Sequence, residues 1–347
     1  ASGKHCIGNA EGDIDHPEEL GIELARKLGQ AGAYVLTKAQ DHQPSIIVEC
    51  DTRISGGMLA SALMAGICSV GANAIFVGVM PTPAIAYLTR IHKVDAGVVI
   101  SASHNPMEFN GIKFFNGEGY KLSDDLEDEI QALIESDLDD VVFPIGPGIG
   151  KIDYRFDIVD EYVNFEKKTV PVDLSGMKIV IDCAEGASYY TSVKTLKELG
   201  ADLVVIHNQP DGTNINANCG STHMNELKAM VVSQKADVGI AFDGDADRMV
   251  TVDETGKVSD FDKLLALISK GFGGTVVTTV DAGICMDEAM AEVGGKVVRT
   301  PVGDVSVAKS IIEEDAKFGG EPSGTWLHPD FCMCPDGLRS GLRIAER

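Results

Sequence analysis

The chain contains no apolar run approaching the roughly 18 residues that a membrane-spanning helix needs, so no helical membrane span is expected. Its first residues, Ala1-Ser2-Gly3-Lys4-His5-Cys6, lack the apolar stretch of a signal peptide. They also lack an initiator methionine, so further residues are expected upstream, and the expected location is cytoplasmic. Positive charge is scarce: 29 Lys and Arg stand against 53 Asp and Glu, a net charge of −24. That balance argues against nucleic acid as a partner. It also makes the overall field repel an anionic substrate, so a phosphate site has to be built from local cations and a metal. None of the eight cysteines forms a Cys-x-x-Cys pair. Cys332-Met333-Cys334 is too tight for half of an ordinary zinc site, and reduced thiols are expected.

What is present suits several packed cores. The 347 residues are 44% apolar and 24% charged, which points to two or three α/β domains. Three short β-branched runs each end at an aspartate: Ile46 to Asp51, Ile179 to Asp182, and Val276 to Asp281. Such runs read as buried strands. Each precedes a helix-like stretch that ends at glycine (Gly71, Gly200 and Gly294), the residue favoured in the left-handed backbone past a helix end. A second strand follows, at Ala74 to Val77, Leu203 to Ile206, and Lys296 to Val298. Later in each unit a strand runs into a polar loop. One supersecondary plan therefore occurs three times, and the three distinctive loops are expected to meet at a shared cleft, because ligands bind at the carboxyl ends of strands. The expected fold is three similar α/β domains, each a mixed sheet between helices. Their expected spans are 1–145, 151–254 and 255–347, with the Pro/Gly run 144–150 as the first linker and a turn at 253–256 marking the second boundary. The first helix should open at Asp15-His16-Pro17-Glu18, a cap followed by an early proline, with Leu20, Leu24 and Leu28 on one face.

The loops carry the chemistry. Ser101-Ala102-Ser103-His104-Asn105-Pro106 presents a hydroxyl nucleophile at a strand end. Taken alone, it reads equally well as a turn capped by Ser and Asn. Lys113, across a short hairpin, is placed to act as acid or base, or is simply a solvated strand lysine. Asp243-Gly244-Asp245-Ala246-Asp247-Arg248 is the strongest signal, with three alternate carboxylates able to wrap one hard cation, Mg²⁺ by preference. An EF-hand competes, since Glu254 stands at loop position twelve. It fails because Arg248 replaces the glycine required at position six and because strands flank the loop. Arg248 is suited to orient phosphate through its fork of donors. Glu321-Pro322-Ser323-Gly324-Thr325 offers an acid and two hydroxyls suited to sugar hydroxyls, or forms a structural turn.

With these three loops in this order, the chain resembles the α-D-phosphohexomutases from about residue 10 to residue 347. The resemblance implies a phosphoserine at Ser103, a metal held by Asp243, Asp245 and Asp247 with Ser103 completing the set, and acid/base and phosphate-contact roles for Lys113 and His104. It further implies substrate contacts from Arg248, Glu321, Ser323, Gly303 and Asp304. The implied reaction is a Mg²⁺-dependent transfer between the 6- and 1-positions of a hexose or hexosamine phosphate through its 1,6-bisphosphate. Residues 214–223 and 300–304 are similar to the family's phosphoglucosamine mutase branch, and residues 321–326 to its archaeal members. Phosphomannomutase or phosphoglucomutase activity is the alternative substrate choice. A phosphatase and a non-catalytic sugar-phosphate binder are the alternatives of other classes. Two departures stand out. The family's N-terminal phosphate-contacting arginine has no counterpart in residues 2–6. Its fourth domain, which holds the distal phosphate, is expected to lie outside this chain, beyond the helix-like residues 336–344.

Overall fold

A computed structural model of the chain describes residues 17–346 except residue 171. The Asp15 cap and the segment 2–6 lie outside the described residues. The first unit runs α1 (Pro17–Thr37), β1 (Ser45–Cys50), α2 (Gly56–Ser69), β2 (Asn73–Val79), α3 (Thr82–Ile91), β3 (Ala96–Ile100), β4 (Ile112–Asn116), α4 (Asp124–Glu135) and β5 (Ile152–Tyr154). The second contains α5 (Val159–Thr169), β6 (Lys178–Asp182), α6 (Ser188–Glu198), β7 (Asp202–Ile206), α7 (Asn225–Gln234), β8 (Val238–Phe242) and β9 (Met249–Asp253). The third contains α8 (Phe261–Phe272), β10 (Thr275–Thr279), α9 (Cys285–Glu292), β11 (Lys296–Thr300), α10 (Asp304–Glu313), β12 (Phe318–Gly320), β13 (Trp326–Leu327) and α11 (Gly337–Ala345).

The threefold plan is a topological repeat. The sheet orders are β4-β3-β1-β2-β5, β9-β8-β6-β7 and β13-β12-β10-β11. In each, three parallel strands, with β5 as a fourth in the first sheet, are joined by one antiparallel strand, which follows the third strand by a hairpin. The parallel strands are nearly all apolar because helices cover both faces. Gly71, Gly200 and Gly294 all have positive φ just past α2, α6 and α9. The three polar loops singled out in the sequence occupy the same place, the connection from the third strand to its antiparallel partner.

The expected boundary at 145/151 needs correction. β5 pairs in parallel with β2, with Ala74 opposite Ile152 and Phe76 opposite Tyr154, so residues 152–154 complete the first sheet. The exposed edge of β2 would otherwise leave backbone groups unpaired, and β5 satisfies them. Among the described residues no helix is long and apolar enough to cross a membrane. The described cysteines form no disulfide.

Candidate active site

Ser103 sits in the left-handed region, at φ 52°, an uncommon conformation for a residue with a side chain. A buried network holds it there. The Ser103 amide donates to Ser101 Oγ (3.0 Å), and Ser101 Oγ donates to Asp51 Oδ2 (2.6 Å). Asp51 pairs with Arg53 Nε at 2.9 Å. The Arg53 guanidinium then donates to four loop carbonyls: Ser103 (3.0 Å), Asn105 (2.8 Å), Phe109 (3.0 Å) and Pro106. From the second unit, Asn216 Nδ2 reaches the Ser103 and Asn105 carbonyls at 2.9 and 3.0 Å. Gly244 is required beside them, since a Cβ there would lie 2.5 Å from the Ser103 carbonyl oxygen.

This clamp points the serine at the acidic loop. Ser103 Oγ donates to Asp243 Oδ2 (2.6 Å) and accepts from Arg248 Nη2 (2.6 Å). Arg248 also reaches Asp243 Oδ2 through Nε (3.2 Å) and His104 Nδ1 through Nη2 (2.5 Å). The hairpin from β3 to β4 sets Lys113 opposite Val99. Its Nζ lies 2.6 Å from Asp245 Oδ2 and 3.9 Å from Asp247 Oδ2. Thr82, at the start of α3, donates to Asp245 Oδ2 at 2.7 Å. The structure thus brings Ser103, His104, Lys113, Asp243, Asp245, Asp247 and Arg248 into one centre.

The electrostatics divide these groups into distinct states. Burial, then Asp247 and Asp245, push Asp243 well above the usual carboxylate range. Burial acts the same way on Asp245, but Lys113 and Thr82 outweigh it and hold that carboxyl below its usual range. Burial would lower Lys113, and Asp245 and Asp247 more than reverse it, so the side chain stands as an ammonium. Partial burial and then Arg248 push His104 down, which keeps its imidazole neutral and able to accept from Arg248.

The three aspartates are buried, and each offers an oxygen within 4.8 Å of the others. Asp245 Oδ1 and Asp247 Oδ1 have no hydrogen-bond partner. Two orphaned buried acceptors in an all-oxygen set fit a hard divalent cation.

The third loop forms a neighbouring cluster. Glu321 Oε1 accepts from the Gly303 amide (2.9 Å), and Ser323 Oγ lies 3.4 Å from Glu321 Oε2. Burial and then Asp304 raise Glu321. Asp304 is the first residue of α10, where its negative charge faces the positive end of the helix dipole, and it is ion-paired with Lys121 of the first unit. Burial opposes that pairing, yet Lys121 still holds the Asp304 carboxyl low. Asp304 thus bridges two units, which its sequence position did not show. Sequence reasoning also passed over Arg53, Thr82, Lys121 and Asn216. The polar Asp51-Thr52-Arg53 directly after a buried strand was the one signal that could have found the first of them.

Models of the phosphoglucomutase/phosphomannomutase α/β/α domains I, II and III match residues 11–140, 159–256 and 260–347. The chain belongs to this family. A phosphoglucosamine mutase of Clostridium novyi (strain NT) is 52% identical over 335 residues, covering 94% of this chain and 74% of that enzyme. A crystal structure of a family member from Burkholderia thailandensis superposes with a TM-score of 0.83 at 26% identity, covering 94% of this chain and 72% of that one. The fold is also shared with N-acetylphosphoglucosamine mutase of Aspergillus fumigatus, solved in complex with GlcNAc-6P and magnesium. There the TM-score is 0.55 at 15% identity, with 94% and 80% of the two chains covered.

Proposed function

We propose that this centre interconverts glucosamine 6-phosphate and glucosamine 1-phosphate through a phosphoserine at Ser103 and a 1,6-bisphosphate. The observation that carries the reading is the placement of Ser103 Oγ. It lies 2.6 Å from both Asp243 and Arg248, at the rim of a buried carboxylate triad. The substrate class rests on the 52% identity to a phosphoglucosamine mutase.

Asp243, Asp245 and Asp247 are the residues that would hold Mg²⁺, together with an oxygen from Ser103. Bound there, the ion would neutralise charge on a phosphate oxygen. The protein groups supply the rest. When the bisphosphate returns a phosphoryl group, Ser103 Oγ forms the new P–O bond and gives up its proton to solvent, while Asp243 holds the oxygen in line by the 2.6 Å contact. The P–O bond to the sugar breaks, and the departing sugar oxygen takes its proton from the Lys113 ammonium. The opposite transfer reverses each proton. Arg248 positions the phosphoryl oxygens, with His104 holding the guanidinium in place. Glu321 and Ser323, beside the Gly303 amide and Asp304, are the groups proposed to grip the sugar hydroxyls.

Two measurements test this. Isotope-labelled sugar bisphosphate should phosphorylate the wild type and leave Ser103→Ala unlabelled; label on the variant would remove Ser103 from the mechanism. With Mg²⁺ and a trace of bisphosphate, kcat/KM should favour glucosamine 6-phosphate over the glucose and mannose 6-phosphates. Equal turnover of the plain hexoses would keep the chemistry and overturn the substrate. Release of inorganic phosphate without isomer would make the enzyme a phosphatase.

A further inference from the structure

A second group of potential metal ligands lies outside the catalytic triad. Asp182 ends β6, His207 directly follows β7, and Cys219 belongs to the long connection from β7 to α7. The three offer a carboxylate oxygen, an imidazole nitrogen and a sulfur, all within 4.8 Å of one another. Asp182 and Cys219 are almost fully buried. His207 Nδ1 faces Asp182 Oδ2 at 3.1 Å, yet is buried and makes no hydrogen bond. Its other nitrogen, Nε2, lies 3.3 Å from Glu226 Oε2 on α7.

We propose that Asp182, His207 and Cys219 form a zinc site, with Glu226 as the outer partner of the imidazole. The donor set decides the metal. Magnesium demands oxygen donors, whereas zinc takes thiolate, imidazole and carboxylate together and leaves a fourth tetrahedral position for water. The carboxylate–histidine–metal arrangement is the one that fixes a ligating imidazole in orientation and tautomer.

The site also has a task. Its ligands hold both ends of the loop that carries Asn216, which clamps the Ser103 and Asn105 carbonyls. Gly220 N and Ala184 N already bond to Asp182 at 3.0 and 2.8 Å, so the loop is drawn to the end of β6 and zinc would lock it there.

The test is cobalt substitution of the metal-stripped protein. Wild type should develop a thiolate-to-cobalt charge-transfer band and, with zinc, retain a single equivalent after gel filtration. Asp245→Asn should keep both, since the catalytic triad contains no sulfur. Cys219→Ser should lose the band. His207→Asn, chosen because asparagine tolerates the φ of 50° at this position, should lose the zinc. Glu226→Gln should weaken zinc binding about 10- to 100-fold. Absence of the band in the wild type, or its survival in Cys219→Ser, overturns the site. If Cys219→Ser does not fold, retention of zinc by His207→Asn overturns it equally.

Discussion

At the scale of the residue, the shape of the proposed serine loop rests on Arg53. Its side chain is buried, and its donors satisfy Asp51 and four carbonyls of the serine loop. A lysine can neither fork nor lie flat against those acceptors. Arg53→Lys should therefore leave several of them unpaired, and misplacing the proposed nucleophile, Ser103, by an ångström can cost about 10²-fold in rate. The expected outcome is a loss of that order in kcat, and in the rate of Ser103 labelling, with KM for the sugar phosphate little changed. An unchanged labelling rate would show that the loop holds its shape without the fork. Arg53→Met should be harsher, costing about 3–5 kcal/mol in urea unfolding because it leaves Asp51 as a buried unpaired charge.

At the scale of the element, the sequence revealed what repeats and concealed what is singular. Strands ending at a polar loop were legible because their apolar runs are continuous and their bounding residues are turn formers. Lys113 was legible as a hairpin partner because its distance along the chain matched a tight return. β5 was not, since its residues 152–154 are exposed and show no burial pattern. Lys121, Asn216 and Thr82 were hidden for another reason. Their partners Asp304, Ser103 and Asp245 lie far away in sequence, and only the packed domains bring them together.

One such hidden pairing gives α11 a pH dependence. His328 is buried with Nε2 3.0 Å from Ser340 Oγ of α11, and its Nδ1 has no partner. Burial, then Arg339 and Arg343, hold it well below its usual range. The unfolded imidazole takes a proton near pH 6.5 while the folded one does not. Its contribution is thus complete above that pH and lost as pH falls. Between about pH 7.5 and about pH 5.5 the wild type should lose about 1.4 kcal/mol more than His328→Gln. Urea midpoints at the two pH values measure it, and equal losses would mean that His328 is charged in the fold.

At the scale of the whole molecule, the three units share a core as well as a cleft. One apolar cluster runs from Ile47 and Tyr87 through Ile179 and Phe242 to Phe318 and Leu342, drawing on all three. Its centre is aromatic. Tyr87 of α3 lies 4.1 Å from Phe165 of α5, and Phe331, in the segment before α11, lies 5.5 Å from the one and 5.1 Å from the other, centroid to centroid. Arg339 covers Phe331 at 4.3 Å and also pairs with the buried Glu166 of α5. Loops contributed by separate units can hold Ser103 Oγ 2.6 Å from Asp243 only if the units are fixed relative to one another. This core is the part of the molecule that fixes them. Phe331→Ala should cost about 3–5 kcal/mol, the range for removing a buried phenylalanine. Because it touches all three units, it should also separate what is otherwise one cooperative transition, seen as a calorimetric enthalpy that no longer equals the van't Hoff value. A variant that kept a single transition at the wild-type midpoint would place the coupling elsewhere, in polar bridges such as Lys121–Asp304 and Tyr162–Asp336.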